Sequence, residues 1–323
     1  MGLGNIWKFP WMVSESGGGA FVLLYIISVI LIALPIMIAE VFIGRHGKQN
    51  PVASIKYLSN ESSSFDVKEI DSDLKRVKTK KQKYSNSDDY TNWQLVGWGG
   101  IIAGILILSF YSVIAGWTMS YILKAGSGAF NLIGLVESKK IFSDLISDPE
   151  KLLAWHTIFI FLTCYIVAQG VKGGLEKAVK FLIPGLFILL IGLALYSTTL
   201  SGFNDGIKYM FIPELSKIDS GVVLSAIGMA FFSLSLGMGS LMIYGSYLSD
   251  DSSIGEVTAL VAFADTFVAI LAGIIIFPIV FTYNLAPSTA GPGLIFETLP
   301  IAFGAMPGGV IIATLFFIIN FVF

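Results

Sequence analysis

FFSLSLGMGSLMIYGSY, residues 231–247, lies inside a run from Ser220 to Ser249 that carries no charged side chain. A run of that length crosses a bilayer as a helix, which needs about 20 apolar residues. Yet its middle holds Gly237, Gly239 and Gly245 together with Ser233 and Ser235. Glycine costs about 1 kcal/mol against alanine in a helix interior. The pattern therefore predicts either close packing of this helix against a neighbour through small residues or a deliberate break in its backbone. Both alternatives stay open on this stretch alone.

Outward from it, the chain has the composition of a membrane protein. It is 55% hydrophobic and 13% charged, against about 25% charged in soluble proteins. Further charge-free runs cover 20–39, 95–123, 152–171, 181–204 and 298–323, and 257–296 is interrupted only by Asp265, giving seven predicted spans. No basic segment precedes the first apolar stretch, so no cleaved signal peptide is expected. Ten lysines and arginines fall between Arg45 and Lys83, which places that loop in the cytoplasm and the following loops alternately outside and inside. The net charge of −2 argues against a nucleic-acid partner. A single cysteine, Cys164, allows no internal disulfide. Two histidines and no Cys/His cluster leave no zinc motif, and no nucleophile–base pair or paired carboxylates suggest an enzyme.

Irregular backbone survives in lipid only where protein or a water-filled cavity satisfies its polar groups. Besides 233–239, the stretch Gly2-Leu3-Gly4-Asn5 predicts a second break. A pair of glycine-interrupted spans points to a transporter's binding site near the bilayer midplane. Asp265 falls well inside its span, where a carboxylate is costly unless it meets a cation, a polar partner or water. Asn5, Ser233 and Asp265 together offer the hard oxygen ligands an alkali ion prefers; a protonated Asp265 is the alternative. Glu40, near the inner end of its span, reads as a structural carboxylate that either snorkels or accepts hydrogen bonds from a broken helix.

GLGNIWKFPWMVSESGGGAF, then GRHG, SFYSVIAGW and FFSLSLGMG, in this order and spacing, resemble the neurotransmitter:sodium symporter family, and most closely its bacterial members for aromatic or hydrophobic amino acids. The resemblance implies an all-α polytopic membrane protein with the inverted-repeat (5+5) fold, present here in part, with helices one and six unwound at mid-membrane. It implies one transmembrane transporter domain over 1–323, a polar basic cytoplasmic loop at 59–92 and an extracellular loop segment at 285–306. The substrate carboxylate would meet backbone N–H groups near Leu3 and Gly4, the Tyr111 hydroxyl and a sodium ion. The ammonium would meet helix-six carbonyls at Phe231, Phe232 and Ser233, and Ser235, with Gly237 also at the substrate site. Ile107, Phe232 and Met238 would line the side-chain pocket. Asn5, Ser233 and Asp265 would hold sodium; Lys8, Tyr111 and Phe232 would form the gate; and Gly174 with Pro184 would match the family's Gly-x9-Pro release-path motif.

Chloride-dependent relatives carry asparagine and serine where this chain has Asp265 and Ala269, so a fixed carboxylate predicts chloride-independent symport. Lys8 replaces the family's gate arginine and lacks its planar fork, which predicts a looser gate. Against the family, the chain opens inside helix one and stops inside helix eight, which implies truncation at both ends and leaves the second sodium site almost without ligands. The expected function is sodium-coupled import of an aromatic or large hydrophobic amino acid by alternating access across the plasma membrane. The alternatives are an inactive fragment, or a channel or receptor using the same fold. Sodium is the co-transported ion and no organic cofactor is expected. The expected partners are the amino acid and the bilayer, with a homodimer left open.

Overall fold

The computed structural model describes residues 3–65, 91–170, 173, 174, 176–285 and 293–322. The described residues form helices in chain order: α1 (Leu3–Glu15), α2 (Gly19–Gly47), α3 (Pro51–Phe65), α4 (Thr91–Gly126), α5 (Leu135–Ile146), α6 (Pro149–Ala168) and α7 (Glu176–Ser197). There follow α8 (Phe203–Phe211), α9 (Ser220–Ser233), α10 (Ser240–Tyr247), α11 (Ile254–Thr282), α12 (Leu294–Ala305) and α13 (Gly309–Val322).

Among the described residues five helices are long and apolar enough to cross a membrane on their own: Gly19–Gly47, Asn92–Gly126, Pro149–Ala168, Glu176–Ser197 and Ile254–Thr282. The seven-span reading is corrected in two places. The run from Ser220 to Ser249 is divided between α9 and α10. The run 298–323 is divided as well, because α12 ends at Ala305 and Gly308, in the left-handed region at φ 73°, precedes α13. The segment expected as the 285–306 loop is helical from Leu294, and its residues 286–292 lie outside the described ones, as do residues 66–90 of the polar loop. Leu31, Ile188 and Leu224 are each 70–71% exposed; large apolar side chains left out in this way across several helices suit lipid, not water.

Backbone chemistry explains the local departures. Helix α2 passes through a π turn at Val29–Ala33, two residues before Pro35. Proline supplies no N–H to the preceding turn, and a wider turn absorbs the mismatch. Helix α6 starts with Asp148, whose side chain accepts from the Lys151 amide at 3.0 Å, and Pro149 in the first turn. That carboxyl is held below its usual range chiefly by the hydrogen bond from the Lys151 ammonium, then by the one from its amide.

Two compact units divide the chain. The first comprises residues 1–33, 108–234 and 260–323. Its core is aromatic: Tyr121 stacks edge-on to Phe296 at 4.9 Å and donates its hydroxyl to the Phe296 carbonyl at 2.9 Å. Phe142 and Trp117 close on the same ring. The second unit comprises residues 34–107 and 235–259. Here α10 lies on the second half of α2 at backbone contact: a Cβ on Gly44 would collide with the Met242 carbonyl, and one on Gly245 with the Val41 carbonyl. Arg45 donates to the Ser252 carbonyl at 2.6 Å, and Lys48 pairs with Asp250 at 3.0 Å.

Candidate functional site

The break in the quoted stretch is real. Helix α9 ends at Ser233, and α10 resumes at Ser240 after residues in irregular conformation. Ser235, Gly237 and Gly239 all take positive φ, at 55°, 79° and 73°. Only glycine adopts that region without a steric cost, so two of the three glycines are turn residues. The third, Gly245, serves the close approach to Val41. Both alternatives of the opening question hold, at different glycines.

In the first unit, Asn5, Ser233 and Asp265 converge from α1, the end of α9 and the middle of α11. Asn5 donates its side-chain amide to Asp265 Oδ1 at 2.7 Å and to the Asp265 carbonyl at 3.2 Å. Ser233 donates to the other carboxylate oxygen of Asp265. With that hydroxyl proton committed, the contact of 3.1 Å between Tyr25 and Ser233 has the tyrosine as donor. Asp265 and Asn5 are each 1% exposed, and Tyr25 is fully buried. A buried carboxylate is tolerated when such donors replace its water shell. The cluster gathers a carboxylate, a side-chain amide, a hydroxyl and a phenol within a few ångströms, with no nitrogen base or sulfur among them. That donor set suits a hard monovalent cation.

Beside it, Gly4 is buried against the aromatic pair. A Cβ there would lie 2.5 Å from the Phe232 ring and 2.8 Å from the Tyr111 hydroxyl. Tyr111 and Phe232 have ring centroids 6.0 Å apart, and the Lys8 ammonium sits 3.4 Å over the Phe232 ring. A cation over an aromatic face is an attraction in its own right. Lys8 therefore has a partner within this unit. Of the stretch Gly2–Asn5, Leu3, Gly4 and Asn5 are helical, while Met1 and Gly2 are outside the described residues. The Leu3 side chain is likewise not among those described.

Phe231 lies in the last turn of α9, in the same unit. Ile107, Ser235, Gly237 and Met238 belong to the second unit. There the Gly237 amide donates to Glu40 Oε1 at 2.7 Å, so a buried carboxylate on α2 satisfies a backbone group freed by the break. This is one of the two roles the sequence left open for Glu40. Gly174 lies at the α6–α7 corner, where a Cβ would strike the Ile166 carbonyl; Pro184 lies inside α7, which continues through it. Tyr25 was missed. A tyrosine in an apolar run gives no signal of its own, since only the fold carries its hydroxyl to Ser233.

The model of the sodium:neurotransmitter symporter family matches residues 1–66 and 139–322. An uncharacterized sodium-dependent transporter of Bacillus subtilis is 35% identical over 226 residues, covering 70% of this chain and 44% of its own length. One from Methanocaldococcus jannaschii is 29% identical over 225 residues, covering 68% of this chain and 39% of its own length. The chain thus spans less than half the length of these relatives. The crystal structure of MhsT in complex with L-phenylalanine is 40% identical, with a TM-score of 0.84 over all of this chain and 66% of that one.

Proposed function

Because this chain belongs to the sodium:neurotransmitter symporter family, we propose that it acts in sodium-coupled symport of amino acids with aromatic or large hydrophobic side chains. The observation that carries the reading is the buried Asn5–Ser233–Asp265 cluster at the end of α9. A sodium ion would enter it by displacing the donated hydrogens and taking oxygen from the Asn5 amide, the Ser233 hydroxyl and the Asp265 carboxylate. Tyr25 would hold the Ser233 hydroxyl in place. The fixed charge of Asp265 balances the ion, so no chloride is needed at the site.

The substrate carboxylate would lie beside Gly4, whose lack of a Cβ lets the Phe232 ring and the Tyr111 hydroxyl come close to its backbone. The ammonium would face the carbonyl end of α9 at Phe231, Phe232 and Ser233, since a helix C-terminus favours positive charge. Lys8, Tyr111 and Phe232 would close over the site as its gate. That a solved relative is held in complex with L-phenylalanine supports an aromatic substrate. The assignment of Ile107, Ser235, Gly237 and Met238 to substrate binding, and of Gly174 and Pro184 to the inward release path, rests on the resemblance. Multi-pass insertion in the plasma membrane, inward flux by alternating access and homodimer formation belong to the same reading.

The test is uptake of labelled L-phenylalanine, L-tryptophan and L-leucine into vesicles carrying the protein. Saturable uptake that needs an inward sodium gradient, and that is unchanged when gluconate replaces chloride, is expected. Sodium current without amino-acid flux would instead favour a channel. Binding of neither ion nor amino acid would refute transport by this chain.

A further inference from the structure

At the α6–α7 corner, on the side the charge distribution places in the cytoplasm, Ile166, Gln169, Gly173, Gly174, Lys177, Ala178 and Lys180 surround an open groove of about 540 Å³. We infer that this groove is a binding site for the phosphate headgroup of an anionic phospholipid, with one acyl chain running along α6.

The argument begins with spacing. Lys177 and Lys180 stand three residues apart on α7, so both ammonium groups rise from one face of the helix. Both are exposed, and among the described residues neither has an ion-pair partner. Glu176 is the neighbouring acid on the same helix, but it does not line the groove. Gln169 brings a side-chain amide from the other wall, and Gly173 and Gly174 bring backbone free of side chains. Two cations, an amide and bare backbone around one concavity suit a phosphate.

The second feature separates a lipid from a soluble phosphate. Ile166 is part of the groove wall, and Leu162 lies one turn further along α6 on the same face. Leu162 is 44% exposed, and Phe161 and Tyr165 beside it are 71% and 69% exposed. An apolar rail thus leaves the basic groove along the helix, as the chain of a bound lipid requires. Corner lysines placed at the cytoplasmic headgroup level meet anionic lipid there, each contributing about fivefold in affinity.

The test uses the purified full chain in detergent with equimolar phosphatidylcholine and phosphatidylglycerol, the retained lipid being counted by native mass spectrometry. The wild-type protein is expected to retain phosphatidylglycerol selectively. The pair Lys177→Gln with Lys180→Gln should weaken that retention by about twenty-five-fold, two lysines at about fivefold each. The pair Lys139→Gln with Lys140→Gln, an equal charge loss on α5, should not. Equal retention in both pairs, or equal loss, overturns the site. Displacement of the lipid by glycerol 3-phosphate at matched concentration also overturns it, in favour of a soluble phosphate ligand. On the unmodified protein, hydrogen exchange at residues 176–180 should slow with phosphatidylglycerol over phosphatidylcholine, and no difference would count against the proposal. None of these readouts depends on transport.

Discussion

Asp265 shows how much a single buried group decides. It is 1% exposed, and both of its carboxylate oxygens receive hydrogen bonds, from Asn5 on one side and Ser233 on the other. Asparagine at this position is nearly the same size but can present only one acceptor oxygen. Its NH2 would face either the Asn5 amide or the Ser233 hydroxyl proton, leaving a donor against a donor. Losing one hydrogen bond to a charged group costs the empty site about 1.5–3 kcal/mol. Asp265→Asn also takes away the ion's fixed counter-charge, worth about 4 kcal/mol at contact distance, so sodium affinity should fall at least about tenfold. With the fixed charge gone, uptake should also become stimulated by chloride. Sodium titrations of uptake in chloride and in gluconate check both effects; unchanged sodium affinity would separate Asp265 from the ion. That Asp265 mattered was legible, because an acid inside an apolar run is conspicuous. That Tyr25 is part of the same network was not, because nothing about a lipid-compatible tyrosine marks it.

At the scale of elements, glycines divide by the reason for their presence. Gly237 and Gly239 supply left-handed backbone in the break. Gly44 and Gly245 let α2 and α10 touch backbone to backbone, and Gly228 in α9 has open space where a Cβ would go. The three classes predict different signs. Gly44→Ala or Gly245→Ala must push α10 off α2, because the colliding atom is a carbonyl that cannot rotate away; an overpacking cost of about 1–3 kcal/mol is expected. Gly228→Ala should instead stabilise by about 0.4–1 kcal/mol, by restricting the unfolded chain. Thermal unfolding of the purified variants in detergent measures both, and a neutral Gly245→Ala would contradict the contact described. The sequence shows only that glycines cluster in 237–245. Which of them turn the chain and which of them pack is a property of the partner helix, and α2 lies some two hundred residues away in the chain.

For the molecule as a whole, ion binding should appear as stability. A ligand that binds only the folded state, present at a hundred times its Kd, stabilises it by about 2.7 kcal/mol. Sodium is therefore expected to raise the unfolding temperature relative to potassium at equal ionic strength, with no added effect of chloride over gluconate. Equal stabilisation by potassium would remove the sodium site from the account. The sequence by itself determined the membrane setting, the family, the helical class and the place of the broken span. These follow from composition, run length and motif order, all of which are local properties of the chain. Only tertiary structure decided that Tyr25 backs Ser233, that Glu40 caps the Gly237 amide, that Lys8 rests on Phe232, and that two apparent spans are each in two pieces. Hydrogen bonds and cation–π contacts between distant residues depend on distances of a few ångströms, which periodicity does not encode.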